Sequence, residues 1–327
     1  MNLKQKFLDK SDSYNFYKNG YENCNKEIEK LAKEFNDYKK QNDKILNSYN
    51  DLFNDIFLNF ELTPKGALKY TQELCLELLT FLGHICEKHG VEYWLDAGNA
   101  LGALRHGGYV PWDDDLDIGM MREDCEKFLD VIDDELKLYQ MDDIITVSRQ
   151  RQVNERYVST FTQIFIENDG FYAGVDIFPC DYIEHPPEDI ENRYIQSKKD
   201  FKKNILNGMD KKDAINEYYS TLNLSYDRKK YFLPCMEGVW GSKRHRCEVF
   251  ETDKVFPLKK VEFEGRLYPA PNDLKYYVSK FYDEHYMEIP KVVYHHRRLK
   301  DLKYKDGYEK NFKTYLERFK QVNKKFE

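Results

Sequence analysis

The sequence predicts an α/β chain in which a mixed sheet is flanked by helices and preceded by a long N-terminal helix. Three observations lead there. Apolar residues recur three and four apart from Tyr14 to Ile56, the period of a helix with one buried seam. Short stretches of strand-like alternation then fall between helical stripes, from Tyr93 to Tyr268. Between the two, Gly98 to Gly119 reads GNALGALRHGGYVPWDDDLDIG, too rich in glycine and acid for an ordinary helix or strand. That stretch is read as an active site.

The first segment, residues 1–62, carries Tyr14, Tyr17, Tyr21, Cys24, Ile28, Leu31, Phe35, Tyr38, Asn42, Ile45, Tyr49, Leu52 and Ile56 at a and d positions. Asn42 falls at a, where one buried amide sets register and favours two strands; Glu34 and Lys39 fall at g and e, where they pair across a dimer. A parallel coiled-coil homodimer is the first reading. A long helix folded back on its own chain is the alternative, kept open by tyrosines that fill a narrow seam poorly.

Thr63 and Pro64 supply an N-cap and an N1 proline for a helix running to about Lys88, with Leu68, Leu74, Leu78, Leu79, Leu82 and Ile85 as its covered stripe. Tyr93 to Leu95 reads as a strand, Gly98 and Asn99 as a tight turn, and Ala100 to Arg105 as a helical turn. Leu116 to Met120 is a further strand, and Arg122 to Leu136 a helix with Phe128, Leu129 and Ile132 inward. Ile144 to Ser148 and Tyr157 to Ile166 are strands; the second sets Val158, Thr160, Thr162 and Ile164 against Ser159, Phe161, Gln163 and Phe165. A turn at Asn168 to Gly170 reverses the chain into Phe171 to Ile177.

Pro186 to about Leu224 is polar and helical, with Lys198, Lys199, Lys202 and Lys203 read as a solvated face. Tyr231 to Trp240 is less regular. Ser242 to Arg246 reads as a surface loop, with Arg244 and Arg246 as the reserve candidates for contact with phosphate. Val261 to Tyr268 alternates as strand around a turn at Glu264 to Arg266, and Asn272 or Asp273 caps a last helix ending before Pro290. The tail beyond Lys291, basic and holding His295 and His296, reads as a solvated terminal helix, with an anionic acceptor or membrane surface as its alternative contact.

The chemistry starts from the acids. In an extended chain Asp115 and Asp117 share a face, and two carboxylates side by side are costly without a cation between them. Hard oxygen ligands of this kind suit Mg²⁺ or Mn²⁺. An acidic surface turn is the plainer alternative, but it does not bracket Asp117 with Leu116 and Ile118. Upstream, backbone N–H groups at the Gly98–Asn99 turn suit phosphate oxygens, with Asn99, Arg105 and His106 as side-chain donors. A formal net charge of -7 excludes a nucleic-acid binder that relies on an overall basic surface. Seven scattered cysteines show neither disulfide nor zinc spacing, and no signal-like or membrane-length apolar run occurs, so a cytoplasmic protein is expected.

The stretch EYWLDAGNALGALRHGGYVPWDDDLDIGM resembles the signature of the LicD family of phosphorylcholine transferases, a branch of the nucleotidyltransferase-fold superfamily that is also similar to fukutin and fukutin-related protein. GVDIFPCDYI resembles the family's second acidic strand, and PLKKVEFEGRLYPAPNDLKYYVSKFYDEHYMEIP its closing strand and helix. Together these cover roughly Thr71 to Pro290. Asn99 stands where the superfamily turn carries Ser or Thr.

The resemblance implies a nucleotidyltransferase-like mixed sheet over residues 63–290 with a helical insertion at about 186–240; beyond it, residues 291–327 read as a basic C-terminal helical tail. It implies Asp115, Asp117 and Asp176 as catalytic carboxylates and ligands of Mg²⁺ or Mn²⁺, with Asp176 as general base or third ligand and Asp181 its competitor. Gly98, Asn99, Arg105, His106 and Trp112 would contact substrate, and Trp94, Trp112, Tyr109 and Trp240 are candidates for a quaternary-ammonium box. The donor would be CDP-choline or another CDP-alcohol, and the acceptor a hydroxyl of a cell-surface polysaccharide, teichoic acid or lipid-linked glycan precursor. Ribitol phosphate or glycerol phosphate as the group moved, nucleotidyl transfer, and last a non-catalytic coiled-coil scaffold are the alternatives.

Overall fold

The computed structural model describes residues 3–60, 62–154, 157–168, 171–237, 247–282, 285–289 and 308–326. The chain divides into two compact units, Met1–Glu61 and Leu62–Glu327. The first is one helix, α1 (Leu3–Asn59), roughly 85 Å long at the usual rise. Its seam residues are open to solvent, Tyr14 at 68%, Leu31 at 61% and Leu52 at 53%. Among the described residues no helix is long and apolar enough to cross a membrane.

The second unit runs α2 (Ala67–His89), β1 (Trp94–Leu95), α3 (Ala97–His106), β2 (Leu116–Met121), α4 (Arg122–Leu138), β3 (Thr146–Ser148), β4 (Arg151–Asn154), β5 (Tyr157–Ser159), β6 (Thr162–Asn168) and β7 (Phe171–Ile183). It continues through α5 (Ile190–Leu206), α6 (Lys211–Leu222), β8 (Leu224–Ser225), β9 (Tyr231–Pro234), β10 (Phe250–Glu251), α7 (Thr252–Val255), β11 (Lys259–Phe263), β12 (Arg266–Ala270), α8 (Leu274–Tyr282) and α9 (Tyr308–Asn323). The main sheet has the order β1-β2-β7-β6-β3, with β8 and β9 paired to the far part of β7 and β10 to β9. Among the described residues its one parallel pair is β2 with β7.

The alternating side chains of the central strands separate two cores. Leu116, Ile118 and Met120 of β2, with Val175 and Ile177 of β7, pack against α2, α4 and α9; Trp94, Met121, Cys180 and Tyr182 lie in a second cluster with α3 and α8. A third cluster holds α5 and α6 together through Tyr194, Phe201 and Tyr218. Four elements differ from their sequence reading. Helix α2 starts at Ala67 and not at Thr63–Pro64, because Gly66 sits at φ 62°, a left-handed conformation that no helix passes through. The strand expected over Tyr157 to Ile166 is broken: β5 pairs with β4 in a separate ribbon, and β6 joins the main sheet. At the break the Thr160 carbonyl accepts from Lys211 Nζ at 2.6 Å and its hydroxyl donates to the Glu237 carbonyl at 3.1 Å, so its polar groups bond away from the sheet. The polar helical stretch is two helices, α5 and α6, parted at Gly208 with φ 87°. Finally, α9 is no solvated tail, for Phe312, Leu316, Phe319 and Val322 are buried in the α2 core and Asn323 donates to Glu77 at 2.8 Å.

Of the two cap candidates before α8, Asp273 caps it, accepting from the Tyr276 N–H at 3.0 Å. Lys198 is half-buried with its ammonium 5.6 Å from the Tyr194 ring centre. Trp240, the Ser242 to Arg246 loop, Pro290, His295 and His296 lie outside the described residues.

The helical insertion is bolted to the sheet by a buried charge cluster. Arg122, the first residue of α4, donates Nε and Nη2 to the Asp181 carboxylate at 2.8 and 2.9 Å, and Nη1 to Glu237 at 2.6 Å. Tyr218 of α6 bonds to all three, and the Tyr219 hydroxyl donates to Asp181 at 2.6 Å. Burial opposes the charge on Arg122, but the two carboxylates outweigh it and raise its pKa well above the ordinary value. Burial likewise opposes ionised Glu237, and the Arg122 guanidinium outweighs it, bringing that carboxyl from 4.5 to about 2. A cluster of this kind adds little net stability when intact but is costly to break, because the remaining charges stay buried.

Arg122→Met should therefore lower urea-measured stability by about 3–5 kcal/mol; a loss within the range of a surface pair, below about 1 kcal/mol, would contradict the burial of these charges. Because the folded pKa of Glu237 lies below the unfolded one, its contribution is complete above about pH 4.5 and disappears as pH falls to about 2. Glu237→Gln should flatten the fall of stability across that window, read from urea midpoints at successive pH values.

Candidate active site

The site is assembled where β1 leaves the sheet. Trp94 pairs with Gly119 of β2, and its indole covers that glycine so closely that a Cβ there would lie 2.3 Å from the ring. The next residue, Asp96, ends the strand and caps α3, accepting from the Ala97 N–H at 2.7 Å. Tyr277 of α8 donates to the same Asp96 oxygen at 2.6 Å and accepts from the Trp94 indole at 3.1 Å. Burial pushes the Asp96 carboxyl upward, and the two hydrogen bonds pull against that shift.

Gly98 and Asn99 lie in the first turn of α3 and not in a turn preceding it. A Cβ on Gly98 would stand 2.5 Å from Asp113 Oδ2, so this position holds only a glycine as long as Asp113 lies there. Asn99 is 1% exposed; its Oδ1 accepts from the Asp117 N–H at 2.5 Å, while its Nδ2 has no hydrogen-bond partner among the described residues. A buried amide donor left over in this way is costly unless something outside the chain accepts from it.

Parallel pairing of β2 with β7 sets Asp117 directly beside Asp176. Carboxylate oxygens of Asp115, Asp117 and Asp176 all lie within 4.8 Å of one another, and Asp113, Asp114 and Asp115 form an overlapping group. Burial first, then the charges of Asp115, Asp176, Asp113 and Asp96, push the Asp117 carboxyl well above the ordinary range. A divalent cation would reverse that shift, and a donor set made only of carboxylate oxygens suits Mg²⁺ or Mn²⁺. Gln163 of β6 donates to Asp176 Oδ1 at 3.0 Å.

The remaining expected contacts lie elsewhere. Arg105 and His106 are at the opposite end of α3. Arg105 Nη1 donates to the Tyr286 and Glu288 carbonyls at 2.7 and 3.4 Å, and its Nε to His106 Nε2 at 3.0 Å. Burial lowers Arg105 to about 10; burial and then the Arg105 charge lower His106 to about 4. His106 is thus neutral near pH 7, with Nε2 as its acceptor nitrogen. Trp112 is half-buried against the second core. Asp181, the competitor of Asp176, is wholly buried on Arg122 and takes no part in the carboxylate group. Trp94 and Tyr109 are core residues and not walls of an ammonium box, Trp94 in the aromatic cluster and Tyr109 with its hydroxyl bonded to the Gln72 carbonyl at 3.0 Å.

Sequence reasoning missed four residues that shape this site. Gln72 of α2 donates to the Asp113 carbonyl at 2.8 Å, and Glu264 accepts from the Tyr109 N–H at 2.9 Å, so the loop between α3 and β2 is held from two sides. Asp96 and Gln163 are the others. Asp96 stood at an N-cap position just ahead of the glycine turn, and Gln163 was the polar residue between Phe161 and Phe165 on one strand face; both signals were legible.

Residues 90–212 match the family model described as LicD/FKTN/FKRP, nucleotidyltransferase domain. The lipopolysaccharide cholinephosphotransferase LicD of Haemophilus influenzae is 40% identical over 67 residues, 20% of this chain and 25% of that protein. The ribitol 5-phosphate transferase FKRP of Homo sapiens is 41% identical over 66 residues, 18% of this chain and 13% of that protein. The aligned stretches thus span a quarter or less of these curated relatives. The similarity to the LicD/FKTN/FKRP nucleotidyltransferase domain thus falls on residues 90–212, which contain β2, β7 and the whole carboxylate group.

Proposed function

We propose that the protein is a metal-dependent transferase that moves a phosphorylated alcohol, phosphocholine first, from a CDP-linked donor to a hydroxyl of a cell-surface glycan or its lipid-linked precursor. The observation that carries this reading is the convergence of Asp115, Asp117 and Asp176 beside the N-terminal turn of α3, where Asn99 Nδ2 has no hydrogen-bond partner among the described residues. Asp115, Asp117 and Asp176 would hold Mg²⁺ or Mn²⁺, which when bound offsets the negative charge of a pyrophosphate and of the departing nucleotide. Asn99 Nδ2 and the Gly98 N–H would hold phosphate oxygens. Asp176 would orient the acceptor hydroxyl and take its proton as the oxygen attacks phosphorus. The new O–P bond forms as the bond to CMP breaks, and CMP leaves. Arg105 and His106, at the far end of α3, and Trp112, in the loop that follows it, would act by shaping the donor's surroundings.

Ribitol phosphate is the second reading for the group moved, favoured by the similarity to FKRP over 66 residues. The carboxylates would meet the pyrophosphate in either case, so they do not select the alcohol. The place of action would be the cytoplasm, peripheral at the inner face of the membrane. We also propose that α1 pairs with a second copy. Its seam is exposed from Tyr14 to Tyr38 and from Ile45 to Leu52, with the half-buried Asn42 at an a position between them and Glu34 and Lys39 at g and e.

Purified protein given Mg²⁺ and CDP conjugates of choline, ethanolamine, ribitol and glycerol should release CMP from one of them, slowly without acceptor and faster with it. Asp115→Ala and Asp117→Ala should each lower that release by at least about 10³-fold while the fold persists. Consumption of nucleoside triphosphates instead would favour nucleotidyl transfer, and retained turnover in the variants would remove the carboxylates from the mechanism. By light scattering the full chain should have twice its 39.3 kDa mass, falling to one copy when Leu31 and Ile45 are both replaced by Glu; a native monomer would defeat the dimer.

A further inference from the structure

Asp176 is braced by a neutral side chain whose placement is closely determined. Gln163 is its cross-strand neighbour in the β6–β7 ladder, 8% exposed, with Nε2 3.0 Å from Asp176 Oδ1. The same nitrogen lies 3.4 Å from the Tyr172 hydroxyl, so both of its acceptors face the NH₂ side of the amide. Two aromatic stacks flank this pair on the same sheet face. Phe161 stacks on Phe178 with ring centres 5.0 Å apart, and Phe165 on Tyr172 at 5.1 Å. Tyr172 reaches its position by lying over Gly174, where a Cβ would meet its hydroxyl at 2.8 Å and Phe165 Cβ at 2.9 Å. Gln163 therefore has little rotameric freedom, and the Asp176 oxygen that it holds has little either.

The charge of this brace matters as much as its position. A lysine or arginine at 163 would place a cation against Asp176 and compete with any metal for the carboxylate group. An amide orients the same oxygen and leaves the negative charge in place. We infer that Gln163 is a positioning residue for the metal: its amide, bonded to Asp176 Oδ1, fixes the orientation in which the Asp176 carboxylate would meet the ion and the acceptor. This rests on the metal-dependent reading above. It adds a member from β6 to a carboxylate set supplied by β2, β7 and the residues before β2. Hydrogen-bonding groups behind metal ligands typically govern about 10–100-fold of metal affinity.

The test is Mn²⁺ binding by the full-length protein, followed by the electron paramagnetic resonance of free Mn²⁺, with no substrate and no turnover. Asp115→Ala defines the site as the binding class that it abolishes. Gln163→Met keeps the length of the side chain without its donor and should weaken that class about 10–100-fold while the thermal midpoint stays near the native one. Gln163→Leu provides the same test if the Met variant fails to fold. Native-like Mn²⁺ affinity in a folded variant, whether or not its thermal midpoint falls, would overturn the positioning role and leave the metal reading standing. Absence of any Asp115-dependent Mn²⁺ class in the native protein would remove the metal reading and the role of Gln163 with it.

Discussion

The parallel pairing of β2 with β7 is the constraint on which the rest of this unit depends. It sets Asp117 beside Asp176 and, because side chains alternate along a strand, gathers the acids on one face while Leu116, Ile118, Val175 and Ile177 enter the core on the other. A slip of one residue in that register would send Asp117 into the apolar cluster and an isoleucine toward the site. The register is secured by burial on both sides. Trp94 lies directly over Gly119 on the site face, and α2 and α4 cover the opposite one. Parallel strands need a long crossover between them, and here α4 and the strands up to β6 supply it.

Strand β7 carries two buried acids five residues apart that are treated in opposite ways. Asp176 and Asp181 point to opposite faces of the strand. Asp181 is matched by a guanidinium, a second carboxylate and two tyrosine hydroxyls, an arrangement that closes on itself and ties α4 and α6 to the sheet. Asp176 is met by an amide and by two further acids. The first environment consumes the charge of its carboxylate; the second concentrates it. Those surroundings, and not burial, distinguish the two acids, since both residues are buried.

How far the sequence disclosed this depended on the range of the interaction. Asp115 and Asp117 were legible because their relation is local, two residues apart across the start of β2. The turn at Glu264 and the helix after Arg122 were legible for the same reason. Asp176 needed the family resemblance to be preferred over Asp181, because nothing near either residue shows that Arg122, 59 positions from Asp181, claims it. The C-terminal helix was misread because its amphipathic period does not say whether a partner waits for its apolar face, and α2 does. The broken strand at Thr160 was hidden similarly, since its cause is the ammonium of Lys211, 51 residues away.

Asn99 shows how a departure from a family pattern is absorbed by geometry. Where the superfamily turn carries a hydroxyl, a single oxygen both accepts and donates, so its two hydrogen bonds share one centre. The amide separates these tasks. Oδ1 is bound to face the Asp117 N–H, since turning the group over would set two donors against each other, and that leaves Nδ2 directed away from β2 with its hydrogens unused. The donor's direction is thus dictated by the backbone of the strand that carries the acids. Asn99 and Gln163 then form a pair of like devices, neutral amides from α3 and β6 that fix the two sides of the carboxylate group without diluting its charge. Under the proposed function a cation and a phosphate would enter together, and any fixed positive side chain at either place would satisfy the acids before the ligand arrived.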